Sequence, residues 1–302
     1  MSFDTVMRLS SPDNEYMDLS EGTLFVVATP IGNLDDLSPR ASEVLAGVDL
    51  VAAEDTRVTG RLLSHFGIKR RQMALHEYNE EQKVAEVIAL LKAGNSIALV
   101  SDAGTPLISD PGFSLIRAAH AAGISIVPIP GPSAMLAALS VSGLPTDRFC
   151  FEGFLPARKS ARLKRLGELA GESRTMIFYE SVHRVDGAIR DMIAVFGATR
   201  PASIGRELTK LHEQSVMADL QALEAMLADA RIPRKGEFVL VVGGSGPVPT
   251  DGVAISAAAL LRELVAVLPG RQAVDIAARL LGSNRNDLYQ RMLAMKKAGD
   301  TQ

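Results

Sequence analysis

The sequence predicts an α/β protein of two α/β domains followed by a small helical region. Three observations carry that expectation. In the first half, short continuous apolar runs alternate with helix-spaced segments, the pattern of a parallel sheet covered on both faces. Past Gly143-Leu144-Pro145 the texture changes, and a second α/β domain with a more mixed sheet is expected. A Gly- and Pro-rich stretch, Gly243–Gly252, then sets off three short helical segments as a flexible linker would. The implied boundaries are 22–143, 146–244 and 253–298, with residues 1–21 expected to be disordered.

Each element has its own signal. Thr23–Thr29 is an apolar run halted by Pro30 and Gly32, which reads as a buried strand entering a loop. Ser38-Pro39 opens a helix that runs to about Gly47. Asp49–Ala53 is a second strand ending in Glu54-Asp55, and a helix from about Thr59 stops at Gly67. Glu81–Ala93 has helical spacing, Ser96–Val100 is a strand, and Ser101–Pro111 is a loop. A helix over about Phe113–Ala122 leads to the strand Ile124–Ile129 and then to a helix near Ser133–Ser140. Beyond the linker, strands are expected at Phe149–Phe154, Thr175–Tyr179, Ala202–Glu207 and Glu237–Val242. Helices are expected at Ala161–Ala170, Val185–Phe196 and Asp219–Ala230, then at Ala254–Leu268, Arg271–Leu281 and Asn284–Lys297.

Composition narrows the function. A net charge of −3 means that any contact with nucleic acid must come from local basic patches. Aromatic residues make up only 5% of the chain, which argues against wide stacking platforms. One cysteine, Cys150, excludes an internal disulfide and a cysteine-rich zinc site, and it reads as an inert core thiol. No His-x-x-x-His or Cys/His pattern is present, so no metal is expected. The acidic and polar start lacks a signal-peptide core, and no apolar run reaches the roughly 18 residues of a membrane span. A cytoplasmic protein is expected.

Ligands of open parallel sheets bind beyond the carboxyl ends of the strands. Three loops there are rich in Gly and Pro: Thr29–Asn33, Ser101–Pro106 and Pro130–Ala134. Each alone could be a tight turn. Together they suit a flat adenosine group held by main-chain contacts. Neither a dinucleotide fingerprint nor a P-loop is present.

These loops carry a resemblance. TLFVVATPIGNLDDLSPRASEVLAGVDLVAAEDTR at Thr23–Arg57, VSDAGTPLISDPG at Val100–Gly112 and PIPGPSAMLAAL at Pro128–Leu139 are similar to the ribosomal RNA small subunit methyltransferase I family. EGFLPARK at Glu152–Lys159, FYESVHRV at Phe178–Val185 and GEFVLVVGG at Gly236–Gly244 continue the match in order, over about residues 22–297. The resemblance implies two α/β domains of tetrapyrrole-methylase type with S-adenosylmethionine between them. It implies 2′-O-methylation of a cytidine in the decoding region of 16S rRNA within the small ribosomal subunit, by a homodimer. By the same resemblance Pro30, Asp102, Gly104, Thr105, Ile108, Ser133, Ala134 and Tyr179 line the cofactor. The opening ATPIGN, followed later by EDTR, departs from the G-x-G-x-G-D-like loop usual in tetrapyrrole methylases and points to the RNA branch.

A ribose hydroxyl is a poor nucleophile, so a group that accepts or orients its proton is needed. Glu54, Asp55, Glu180 and His183 all follow predicted strand ends, and Asp55, Glu180 and His183 are the catalytic candidates. The alternative for Asp55 is a helix cap with Arg57 paired to it. Arg57, Arg158, Lys159 and Arg162 are the candidate RNA contacts, the last three from a basic run in which Arg158, Arg162 and Arg165 share a helical face. A second basic run, Arg271–Lys297, either grips RNA or belongs to a small folded bundle. Two other functions keep the same fold: C-methylation of a tetrapyrrole, and non-catalytic ribosome binding.

Overall fold

Apolar runs of four or five residues build the first sheet. β1 (Thr23–Val27), β2 (Leu50–Ala53), β3 (Arg71–Ala74), β4 (Ile97–Val100) and β5 (Ser125–Ile129) are all parallel, in the order β3-β2-β4-β1-β5. Alternate residues face opposite sides. Phe25, Val27, Val51, Ala53, Ala98 and Val100 pack under α1 (Pro39–Gly47) and α2 (Thr56–His65). Leu24, Leu50, Ala52, Ile97 and Leu99 pack under α3 (Glu80–Lys92) and α4 (Phe113–Ala121). Ser38 accepts a hydrogen bond from the Ala41 N–H and so caps α1, with Pro39 at its first position.

This computed structural model describes residues 22–246, 257–281 and 284–299. The expectation of disorder for residues 1–21 lies outside the described residues, as does the linker reading for positions 247–252. The chain divides into two compact units at Gly246 and Pro247.

The first unit holds a second sheet of order β6-β7-β10-β8-β9. Its strands are β6 (Phe149–Phe154), β7 (Thr175–Ser181), β8 (Pro201–Arg206), β9 (Gln214–Asp219) and β10 (Glu237–Val242). Only β6 and β7 run parallel; the other neighbours are antiparallel, as the mixed texture predicts. Phe178, Phe238, Leu240 and Val242 face a core made with α6 (Lys159–Glu168), α7 (Val185–Phe196) and α8 (Leu220–Ala228). Ile177, Tyr179, Val239 and Val241 face the other way, onto α5 (Ala134–Val141) and onto Ile31 of the first sheet's loops. That shared apolar layer seats the two sheets against each other. The Asn33 N–H donating to Thr209 Oγ1 at 3.1 Å adds a polar tie.

Two edge strands, β3 and β9, were not predicted from the sequence. In β3 only Met73 is buried, and β9 alternates half-buried with exposed residues, so neither presents an apolar run. The second unit is built of α9 (Ala257–Val267), α10 (Gly270–Leu281) and α11 (Arg285–Gly299), close to the three expected helices. Leu261, Val274, Ala277, Leu288 and Met292 form its core. No helix among the described residues is long and apolar enough to cross a membrane.

Candidate active site

The strand order places a topological switch between β1 and β4. The chain leaves β1 toward β2 on one side and leaves β4 toward β5 on the other, so the loops after β1 and β4 open a crevice. A two-way backbone bridge ties them: Thr29 N–H donates to Gly104 O at 2.9 Å, and Gly104 N–H to Thr29 O at 3.0 Å. Gly104 has φ +86, and a Cβ there would press on Ile31 Cγ2 at 3.3 Å. Only glycine combines that conformation with that closeness.

A cavity of about 410 Å³ opens at this crevice, a size suited to a small-molecule ligand. Its walls come from the β4 loop, the start of α5, and the β7 and β10 strands of the second sheet. Asp102, Gly104, Thr105, Ile108, Ser133, Ala134, Tyr179 and Glu180 all line it. Thr105 Oγ1 donates to Pro132 O at 3.1 Å, holding the second loop against the third. The Tyr179 hydroxyl accepts from the Met135 N–H at 3.2 Å, pinning β7 to α5.

The other predicted residues sit elsewhere. Pro30 lines a neighbouring groove of about 330 Å³ with Leu34, Val58, Arg61 and Asp102. Asp102 therefore forms a wall common to both spaces. Asp55 caps α2 by accepting from the Arg57 N–H at 2.8 Å, and its carboxylate pairs with the Arg57 guanidinium at 2.6 Å. Hydrogen bonds from Arg57 hold the Asp55 carboxyl far below the usual range, which makes it a weak proton acceptor. His183 lies exposed on the turn between β7 and α7 and does not line the cavity.

Arg162 differs from the expected solvent-facing arginine. It is 7% exposed and clamps Asp191 of α7, with Nη2 to Oδ2 at 2.7 Å. The stripe that carries Arg162 also carries the buried Leu166, so the helical spacing holds but that face turns inward. Arg158 and Lys159 are exposed at the start of α6, a few residues beyond Phe154 of the cavity wall. Cys150 is only half buried, and burial pushes its thiol up.

Charge distinguishes the cavity. Glu54, Asp102, Asp110, Glu180 and Glu237 line it, and among the described residues none of the lining side chains is Lys, Arg or His. Burial pushes Glu54 and Asp102 above the usual carboxylate range. Burial, reinforced by repulsion from Glu54 and Asp102, pushes Asp110 up to about 6. Asp110 and Glu237 were not singled out from the sequence. Asp110 reads there as a turn residue of SDPG, and the burial that makes it unusual comes from distant chain. Leu107 and Ser109 beside it have φ 72 and 68, strained for residues with a Cβ, so the loop is held in a costly shape at this wall.

Glu180 adds a second mark. Its Oε1 accepts from the Ser181 N–H and from Arg184, both at 2.8 Å. Its Oε2 is buried without a protein partner, an arrangement that calls for a donor from a ligand.

The chain matches the family described as Tetrapyrrole (Corrin/Porphyrin) Methylases over residues 23–224, and the RsmI C-terminal HTH domain over residues 251–296. It is 52% identical to ribosomal RNA small subunit methyltransferase I of Xylella fastidiosa strain Temecula1, over 89% of this chain and 98% of that protein. The chain belongs to the ribosomal RNA small subunit methyltransferase I family. The Escherichia coli O157:H7 protein of that description is 50% identical over 90% of this chain and 95% of its own length. Among solved structures, cobalt precorrin-4 methyltransferase aligns with a TM-score of 0.55 at 16% identity, covering 74% of this chain and 95% of that one. The uroporphyrin-III C-methyltransferase of Thermus thermophilus, complexed with S-adenyl homocysteine, aligns with a TM-score of 0.50 at 17% identity, covering 73% and 97%. Those likenesses confirm the fold that the resemblance implies.

S-adenosylmethionine, the cofactor of this methyltransferase family, fits the cavity by its chemistry. Its sulfonium and ammonium are cations, and the walls offer only carboxylates as charged groups. Its ribose hydroxyls are donors of the kind that Glu180 Oε2 lacks. The apolar Ile31, Ile108, Leu208 and Val239 suit the flat adenine.

Proposed function

We propose that the protein transfers a methyl group to the ribose 2′-hydroxyl of a cytidine in the decoding region of 16S rRNA, within the small ribosomal subunit. The observation that carries this reading is the all-acidic cavity at the switch point, in a chain half-identical to ribosomal RNA methyltransferases. When bound, S-adenosylmethionine supplies an electrophilic methyl. Everything else falls to the chain. Asp102, Gly104 and Thr105 position the donor, and Glu180 Oε2 accepts a hydrogen bond from it. Asp110 takes the 2′-hydroxyl proton as the new O–C bond forms, because a carboxylate near 6 matches that task better than the strongly acidic Asp55. The acceptor ribose enters across the wall that Asp102 shares with the neighbouring groove, where Arg61 can meet a phosphate.

Arg158 and Lys159 add contacts to the RNA backbone, and Arg162 supports them from behind. In the second unit Arg271, Arg279 and Arg291 are exposed and add further phosphate contacts. Action on small subunits sets the protein in the cytoplasm. It works as a homodimer, for which the exposed Leu136, Val141 and Met217 supply an apolar patch. A monomer by sedimentation at micromolar concentration would remove that part of the reading. A tetrapyrrole acceptor is disfavoured because the relatives named for ribosomal RNA methylation are 50–52% identical over about nine-tenths of the chain, whereas the tetrapyrrole methyltransferases share 16–17%.

The test is single-turnover transfer of a labelled methyl group to small subunits purified from cells lacking this enzyme, followed by mass spectrometry of the 16S rRNA. One ribose methylation is expected. Methylation of a base, or of no RNA at all, would overturn the proposal.

A further inference from the structure

We propose that Tyr78 and Phe113 form an outer stacking rim that holds unpaired RNA bases flanking the target nucleotide. The inference rests on the RNA reading above and extends it to residues outside the cavity.

Tyr78 is 90% exposed and Phe113 67%, in a chain that keeps most of its large apolar side chains inside. Both lie beyond the carboxyl ends of the first sheet's strands, the edge where the cavity opens: Tyr78 on the turn after β3, Phe113 at the start of α4, which follows the β4 loop. Chain continuity and hydrogen bonds join the cavity to the rim. Ser109 and Asp110 line the cavity, and their loop runs directly into Phe113, the first residue of α4. Glu80 Oε1 accepts from the Ser114 and Leu115 N–H groups at 2.8 and 3.1 Å, which joins the start of α4 to the turn carrying Tyr78.

The exposure of Tyr78 does not come from a loose turn. Asn79 braces it, with Oδ1 accepting from the His76 N–H at 2.9 Å and Nδ2 donating to Ala74 O at 3.1 Å. Outward-facing rings on a braced backbone are a means by which proteins hold single-stranded bases. Cations accompany the path: Arg117 sits 5.8 Å from the Phe113 ring centre and Arg184 6.0 Å from that of Phe154. Arg117 makes no ion pair among the described residues and can meet a phosphate. Glu77 and Glu81 flank Tyr78 and are exposed, so the backbone is repelled there and the ring meets the neutral base. Low aromatic content argues against a wide platform; two placed rings are enough for two bases.

The test uses the full-length protein and small subunits lacking the modification. Tyr78→Ala and Phe113→Ala should each raise KM for subunits roughly tenfold. Affinity for S-adenosylmethionine by calorimetry, and the salt dependence of subunit binding, should stay as in the unsubstituted protein. Tyr78→Phe should restore KM, since it keeps the ring. An unchanged KM in the double alanine variant would overturn the rim. So would loss of the dimer by sedimentation, which would make these rings a subunit contact. Failure of the unsubstituted protein to methylate subunits would instead overturn the RNA reading itself.

Discussion

At the scale of single residues, Asp110 carries the proposed proton transfer. Its folded value near 6 lies above the ordinary 3.8, so the folded protein holds that proton more tightly than the unfolded chain does. Transfer should therefore fall as pH drops through about 6 and level off above it, read as single-turnover rate against pH. Asp110→Asn should cut the rate about 100-fold or more while leaving the donor's affinity within a few-fold. The sign for stability is opposite. Burial of this carboxylate costs nothing below pH 3.8, where it is protonated in both states, and costs most above 6. Asp110→Asn should then raise Tm at pH 8 by about 2–4 °C, corresponding to about 1 kcal/mol once solvent screening is discounted. An unchanged rate would move the proton acceptor elsewhere.

Residue type alone did not reveal this. Asp102, Gly104, Thr105, Ile108, Ser133, Ala134 and Tyr179 are legible because long motifs carry them, and the structure brings them to one cavity. Asp110 lies inside the same motif, yet its distinctive property arises from three-dimensional burial. Asp55 shows the converse. A carboxylate just past a strand is an equally good signal for a base and for a helix cap, and only geometry separates them.

At the scale of elements, α6 divides its basic residues between two tasks. Arg162 and Asp191 form a buried pair that seats α6 on α7. Arg162→Leu leaves a buried carboxylate opposed only by Lys159 at 3.9 Å, and should cost about 3–5 kcal/mol in denaturant unfolding. Adding Asp191→Leu should recover most of that loss. Arg158→Glu should leave unfolding nearly unchanged but weaken subunit binding and flatten its dependence on salt. The same helix shows how far periodicity reaches. Spacing places Arg158, Arg162 and Arg165 on one stripe, but the partner that decides whether a stripe is core or surface lies 29 residues further on, at Asp191. The missed strands β3 and β9 fail for a related reason. Edge strands are held by backbone pairing to a neighbour, which leaves little apolar pattern to read.

At the scale of the whole molecule, the two units can be tested apart. Both sheets and all the cavity walls lie before Gly246, and the three-helix unit has a core of its own. A chain ending at Gly246 should bind S-adenosylmethionine with affinity within a few-fold of the full protein, by calorimetry. It should lose affinity for small subunits, because the exposed arginines of α10 and α11 go with the deleted unit. Full methylation efficiency in the shortened protein would show that the second unit takes no part in RNA recognition. The seating of one sheet on the other was not legible in the sequence, because it depends on Ile31, Leu208 and Val239 meeting across long separations.

The wall of carboxylates has a consequence for turnover. A sulfonium that gives up its methyl becomes a neutral thioether, so the spent molecule keeps its shape and loses one of its positive charges. In the proposed seat Glu54, Asp102, Glu180 and Glu237 then attract it less than the molecule that entered, and Asp110, having taken the proton, is itself neutral. The site thereby favours exchange of used for fresh donor without any moving part, and a competitor that keeps a cation at that position should bind more tightly than the demethylated product.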